Sequence, residues 1–128
     1  MPLITGVDHD RREVSVIAIG PVSVDDVLEF LLHQKREHGL SYPRLVDLRG
    51  AGIPTDPAGF ERITEMVRNL SLEGPIGPAA IVVSSDADVD SMRVLEGMLQ
   101  NFFAMKTFRG EGHARAWLRG TAAKGQAT

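Results

Sequence analysis

The sequence predicts an α/β domain with a mostly parallel five-stranded sheet, in the order β-β-α-β-α-β-α-β-α. Runs rich in β-branched residues alternate with stretches of helical periodicity, which is typical of strands joined by helical crossovers. The run "AAIVV" at 79–83 is apolar throughout, as expected for a strand covered on both faces. The link "DHDRR" has hairpin length, which predicts that the first strand is an antiparallel edge.

Local patterns give each element in turn. The first helix is predicted to begin at a capping box formed by Ser23 and Asp26, and to end before Gly39. The break "EGPIGP" ends the second helix. The predicted strands are residues 3–7, 13–19, 44–48, 79–83 and 105–108. The predicted helices are residues 23–38, 57–70, 88–103 and 111–118.

The chain is predicted to hold one domain, over residues 1–119. Its 128 residues are about one domain in length, and no internal repeat or composition change marks a second one. The last stretch, "GTAAKGQAT", has no large apolar residue to bury. We therefore expect residues 120–128 to be a disordered tail.

Composition excludes several classes of function. The chain has no cysteine, which removes disulfides and thiolate metal sites. Its 14 basic and 17 acidic residues are mixed along the chain, so no basic patch for nucleic acid or anionic lipid is expected. No apolar run approaches the roughly 20 residues of a membrane span. Because "MPLITGVDHD" does not resemble a secretory signal, we expect a cytoplasmic protein.

The stretch "GAGIPTDP" between the third strand and the second helix raises the question of a ligand site. Asp56 followed by Pro57 predicts a helix start, because Asp accepts free backbone N–H groups and Pro has no N–H to leave unpaired. A phosphate site is the alternative at a helix start after a strand. The stretch has neither a GxGxxG pattern nor a P-loop lysine, so we interpret Asp56 and Pro57 as backbone caps.

This turn and its flanks resemble the STAS domain, the fold of bacterial anti-sigma-factor antagonists. The resemblance rests on "LVDL" at 45–48, "DPAGF" at 56–60 and the element order. Three more stretches are similar to a SpoIIAA-like subgroup: "YPRLVDLRGA" at 42–51, "AAIVVSSD" at 79–86 and "MKTFRGEGHARAWL" at 105–118. The resemblance extends to about Arg119. It implies a SpoIIAA-like fold and a non-catalytic binding or regulatory module.

The resemblance does not carry over the phosphorylation switch of those antagonists, whose loop reads Asp-Ser-Ser-Gly with the first serine phosphorylated by a partner kinase. Here the corresponding residues are Asp56, Pro57, Ala58 and Gly59, so both serines are missing. Thr55 keeps a hydroxyl, which we interpret as a turn residue rather than a phosphosite. We therefore predict a protein partner and no catalytic, cofactor-binding or metal-binding residues. The predicted partner-binding residues are Thr55, Asp56, Pro57, Ala58 and Gly59.

Two other functions stay open. CRAL-TRIO lipid carriers share a related fold, so a small-ligand or lipid-binding domain is an alternative, although this chain lacks the extra helices that complete their pocket. "DADVD" at 86–90 resembles the DxDxV motif of haloacid-dehalogenase-like phosphatases, with Asp86 as nucleophile and Asp88 as acid-base. That chemistry needs further carboxylates for a metal, and only Glu96 and Glu111 follow residue 90. The simpler interpretation is that Asp86 or Asp88 caps the third helix.

The histidines do not form a metal-binding pattern. His33 and His38 are expected on the first helix, where a spacing of five residues places them about 140° apart around its axis. Two side chains so far apart cannot share an ion.

The third helix has a wide apolar face. Its apolar residues cover about half the circumference, more than the stripe of roughly 100° that packing on one sheet uses. Either this face contacts a partner or a second copy of the chain, or the fourth helix and Trp117 cover the excess. The apolar residues are Val89, Met92, Leu95, Met98, Leu99, Phe102 and Phe103.

Overall fold

The predicted fold class and element order are confirmed by a computed structural model, which describes the backbone of residues 3–127 and the side chains of residues 3–121. The strands are β1 (Leu3–Asp8), β2 (Glu13–Pro21), β3 (Arg44–Gly52), β4 (Ala79–Val82) and β5 (Met105–Phe108). The helices are α1 (Val24–Arg36), α2 (Pro57–Ser71), α3 (Asp86–Leu99) and α4 (Glu111–Ala127).

The five strands lie side by side in chain order, β1-β2-β3-β4-β5. β1 pairs antiparallel with β2 and forms an edge, as predicted, and every other pair is parallel. Each crossover helix steps to the next strand in the same direction, and right-handed crossovers of this kind place their helices on one face. Accordingly α1, α2 and α3 pack on one face of the sheet, and α4 packs on the other.

β4 is the centre of both cores. Ala79, Ile81 and the following Val83 contact the cluster formed with the three crossover helices. Ala80 and Val82 contact the cluster formed with α4. All of these side chains are buried, as the uninterrupted apolar run predicted. The sheet therefore separates a large core under three helices from a smaller one under α4.

The helix caps follow the sequence closely, with one exception. Ser23 and Asp26 form the predicted capping box, and Asp56 caps α2 with Pro57 as its first residue. α3 is capped by Ser85, whose Oγ accepts the Asp88 N–H at 3.1 Å, so the prediction of Asp86 or Asp88 as the cap was wrong. The backbone of Ser85 is extended, as a cap requires, and both aspartates lie in the first turn near the positive end of the helix dipole.

Several predicted boundaries differ in the structure, and three of these differences have a clear cause. β3 continues beyond residue 48 to Gly52, because it stays paired with the end of β2. α3 ends at Leu99 rather than residue 103, since the N–H groups of Phe102 and Phe103 turn back to the Leu99 carbonyl. His38 lies beyond the end of α1 with φ at 58°, so it does not share a helix with His33.

The end of the chain also differs from the prediction. The α4 backbone continues to Ala127, whereas the sequence predicted a helix end at residue 118. Alanine and lysine are good helix formers, and the isolated Gly120 and Gly125 do not stop the helix. The side chains of 122–127 and all of Thr128 lie outside the described residues, so the domain limit at 119 and the disordered tail over 120–128 stay predictions.

Candidate functional site

β3 contains a bulge just before the turn that leads to α2. Ile17 of β2 pairs with Asp47, and Ile19 pairs with Gly50, so β3 uses one residue more than β2 over the same length. A bulge bends a strand and changes the direction of its side chains. The extra residue falls at Leu48 or Arg49, at the carboxyl edge of the parallel strands, where ligands of α/β sheets commonly bind.

A chain of charges starts at this bulge and reaches α4. Arg49 donates to both carboxylate oxygens of Asp47, at 2.9 and 2.8 Å, and to Glu111 at 3.2 Å. Arg115 donates to Glu111 at 3.2 Å. The hydrogen bonds from Arg49 hold the pKa of Asp47 below its ordinary value. These four groups satisfy one another, so they attach the start of α4 to the end of β3 rather than leaving a charge for a ligand.

The predicted partner-binding segment, residues 55–59, comes directly after β3. Thr55, Asp56, Pro57 and Ala58 are exposed. Asp56 serves backbone geometry, because its side chain accepts the Ala58 N–H at 3.2 Å and its carbonyl accepts the Phe60 N–H at 3.0 Å. The structure thus places four of the five predicted residues on the surface, with the carboxylate used as a helix cap.

Gly59, the fifth residue, is buried where α2 meets α1. A Cβ built on Gly59 would overlap Cγ2 of Val24, so only glycine allows this approach. On the surface beside it, Arg62 pairs with Asp25 at 2.8 Å. Gly59 therefore sets the position of the segment, and these contacts fix the start of α2 against the start of α1.

Asp86 is highly exposed and pairs with Arg109 at 2.6 Å. Asp88 follows within the first turn of α3 and does not cap it. Within the described residues, no three His, Cys, Asp or Glu side chains are grouped so that they could hold a metal ion. The carboxylates that a phosphatase of the DxDxV type requires are thus not gathered around Asp86 in that part of the chain.

An apolar cavity of about 140 Å³ lies beneath the turn, between the sheet and the three crossover helices. Its walls include Val46 and Ile81 from the sheet and Phe60 from α2. Ile53 and Pro54, which lead into the 55–59 segment, also line it. A cavity of this size is small compared with the 300–1,000 Å³ typical of pockets for drug-sized ligands.

Arg44 is the one charged side chain among the described residues that line this cavity. It is only 3% exposed and donates hydrogen bonds to the carbonyls of Gly39, Leu40 and Gly77. Gln34, on the last turn of α1, is fully buried. It lies near Arg44, because its Oε1 is adjacent to Gly39, whose carbonyl accepts from Arg44. Two polar side chains are thus enclosed at one corner of the core.

Neither residue was predicted to be buried, although the sequence contains a signal for both. Arg44 shares the inward face of β3 with Val46 and Leu48 under the two-residue alternation of a strand. Gln34 continues the stripe of Val27 and Leu31 at helical spacing. The strand or helix period assigns each of these positions to the core. A polar residue at such a position is the signal that would have identified Arg44 and Gln34.

The apolar face of α3 is partly covered. Met92, Leu95 and Leu99 are buried, whereas Met98 and Phe102 are half-buried and contact the same core. The proposal that α4 and Trp117 cover the excess is wrong, because they lie on the opposite face of the sheet with Phe108. Self-association through this helix stays a prediction.

Comparison with known proteins supports the fold. The sequence matches no protein-family model and no curated protein. Among the solved structures that it resembles is an uncharacterized protein of the DUF3478 family with a SpoIIAA-like fold, from Shewanella loihica PV-4. The match covers 91% of both chains with a TM-score of 0.57 and 17% sequence identity. The chain therefore has a SpoIIAA-like fold, which confirms the resemblance at that level.

Proposed function

We propose that this chain is a non-catalytic protein-interaction module of STAS type, and that its partner docks on the 55–59 segment. The observation that carries the proposal is that the segment is exposed to solvent while contacts within the protein hold its backbone in place. Thr55 and Ala58 face solvent, while the Asp56 cap and the packing of Gly59 hold the backbone. A surface that is ordered before binding loses less conformational entropy when a partner docks.

The chemistry of the segment supports recognition rather than reaction. Its one carboxylate, Asp56, already accepts a backbone hydrogen bond. Pro57 carries no reactive group, and Thr55 is separated from the Asp47 and Arg49 pair by the end of β3 and the turn. The groups that the segment presents to a partner are therefore the hydroxyl and methyl groups of Thr55 and the ring of Pro57.

The experiment is an affinity capture with the full chain from its source cell, followed by purification of the captured protein and a direct binding measurement. Thr55→Arg adds a bulky charge to the segment without disturbing the helix cap. Gln100→Arg is the matched control, since Gln100 is exposed at the far end of α3. We expect Thr55→Arg to weaken binding at least tenfold and Gln100→Arg to leave it unchanged. Equal binding by all three proteins would contradict the proposal.

A second candidate function, binding of a small apolar ligand, is favoured by the cavity of about 140 Å³ under the turn. An engineered apolar cavity of about 150 Å³ stays dry and binds benzene, so this volume suits a compact apolar group. The cavity is too small for a lipid with two acyl chains. The ligand class is therefore narrower than the small molecules and lipids that the CRAL-TRIO alternative allowed.

This candidate is tested by solvent extraction of the purified chain and mass spectrometry of the extract. A stoichiometric small molecule would support it, and its release should alter NMR signals of the cavity residues Ile53 and Ile81. An extract without such a molecule, combined with no response to added ligands, would contradict it.

A further inference from the structure

The two edge strands of the sheet, β1 and β5, differ in how side chains obstruct them. An edge strand has backbone N–H and C=O groups without a strand partner, and these can pair with another chain. Native proteins obstruct such edges with short strands and charged side chains. β5 has only four residues, includes Lys106, and contacts a carboxylate from α3. β1 has six residues and no charged side chain from Leu3 to Val7, so β5 is the more obstructed edge.

The backbone of Thr107 in β5 points out of the sheet. The Val83 N–H donates to the Phe108 carbonyl at 2.9 Å, so the backbone groups of Phe108 point toward β4. In a parallel pair, successive residues point alternately toward the partner strand and away from it. Thr107 therefore directs its N–H to the side where a sixth strand would add.

The carboxylate of Glu96 accepts a hydrogen bond from this outward N–H. The distance between Glu96 Oε1 and the Thr107 nitrogen is 3.1 Å. Glu96 is half-buried, four residues after the buried Met92 and three before the buried Leu99, so it lies next to the core-facing stripe of α3. A further strand would need the same N–H and would have to displace the carboxylate.

Electrostatics argue that the charge of Glu96 does not serve stability. Burial raises the pKa of Glu96 above its ordinary value of 4.5, and this effect outweighs the lowering by the Thr107 hydrogen bond and by the charges of Arg93 and Lys106. A carboxyl group whose pKa is raised in the folded state loses stability when it ionises, and it is ionised at neutral pH. An apolar side chain at this position would avoid that loss.

We propose that Glu96 closes the β5 edge, so that the sheet does not extend through β5 to a second copy of the chain. The carboxylate occupies the outward N–H of Thr107. It also places a negative charge where the carbonyl oxygens of an incoming strand would lie, and those oxygens carry negative partial charge. The device acts at β5 and is independent of the docking proposed for the 55–59 segment.

The test replaces Glu96 by methionine in the full chain. Glu96→Met keeps the length of the side chain and removes both the acceptor and the charge. Glu65→Met is the matched control, because Glu65 is an exposed glutamate inside α2. Analytical ultracentrifugation measures the average mass of wild type and both variants over a range of concentrations. At the highest concentration we expect Glu96→Met to reach at least about twice the mass of wild type, since pairing adds whole chains, and Glu65→Met to match wild type.

Two results of this comparison would overturn the proposal. One is a Glu96→Met protein with the mass of wild type at every concentration. The other is equal growth of Glu96→Met and Glu65→Met, because the added apolar surface would then be the cause. In the Glu96→Met background, Thr107→Pro removes the outward N–H without removing a bond to β4, so it should abolish the association.

Stability separates closure of the edge from structural support. Measured by urea unfolding at concentrations where it is monomeric, Glu96→Met should be at least as stable as wild type. A variant that associates only as it unfolds would contradict the proposal. The wild-type chain supplies a readout that needs no variant: the NMR shift of the Thr107 amide proton should change as Glu96 titrates, and an amide that does not respond would overturn the contact.

Discussion

Gly59→Ala should destabilise the protein, even though it replaces glycine by alanine inside a helix. From helix propensity alone, the change should stabilise α2 by up to about 1 kcal/mol. The structure predicts the opposite sign, because the new Cβ would overlap Cγ2 of Val24 on α1. Overpacking of this kind costs about 1–3 kcal/mol, so the expected net loss is about 1 kcal/mol.

Gly97→Ala provides the matched control. Gly97 lies inside α3, is exposed, and a Cβ built on it meets no atom within 4 Å. This change should therefore stabilise the protein by about 0.5–1 kcal/mol through helix propensity. Urea unfolding followed by far-UV circular dichroism measures the free energy of unfolding of both variants under identical conditions.

A double-mutant cycle identifies the cause. Val24→Ala removes the methyl group that the new Cβ would meet, so Gly59→Ala should lose its penalty in that background. If Gly59→Ala stabilises the wild-type chain as much as Gly97→Ala does, the close contact between α1 and α2 does not exist and the account of the 55–59 segment fails.

Three further predictions concern Gly77, the Ser85 cap of α3 and the ion pair between Asp47 and Arg49. Gly77→Ala should cost about 3 kcal/mol of unfolding free energy or prevent folding, since its Cβ would overlap backbone carbonyl oxygens that cannot move away. Ser85→Ala should cost about 1 kcal/mol by removing the cap of α3, and unchanged urea unfolding would contradict this. Asp47 should titrate below its ordinary pKa of 3.8, so its contribution to stability is present above that pH and is lost on acidification through the lower, folded-state pKa. NMR titration should show that pKa rising in Arg49→Gln, and an unchanged value would refute the role of the pair.

The 55–59 segment shows which features could be predicted from the sequence and which could not. The roles of Asp56 and Pro57 as helix start could be predicted because a cap depends on a few consecutive residues. The same is true of the Ser23 and Asp26 box. That Gly59 is buried rather than exposed could not be predicted, because its neighbour Val24 lies 35 positions earlier in the chain and meets it only after α1 and α2 pack.

The sequence by itself determined the order and type of the elements, since periodicity, capping and turn chemistry act over a few residues and can be recognised without a fold. Only the tertiary structure decided that α4 packs opposite the other helices, that β3 has a bulge, and that Arg44 and Gln34 are buried. The reason is that burial is a property of several elements at once. Whether a polar side chain meets water, a carbonyl or an empty space depends on contacts between segments far apart in the chain, and no local pattern specifies those contacts.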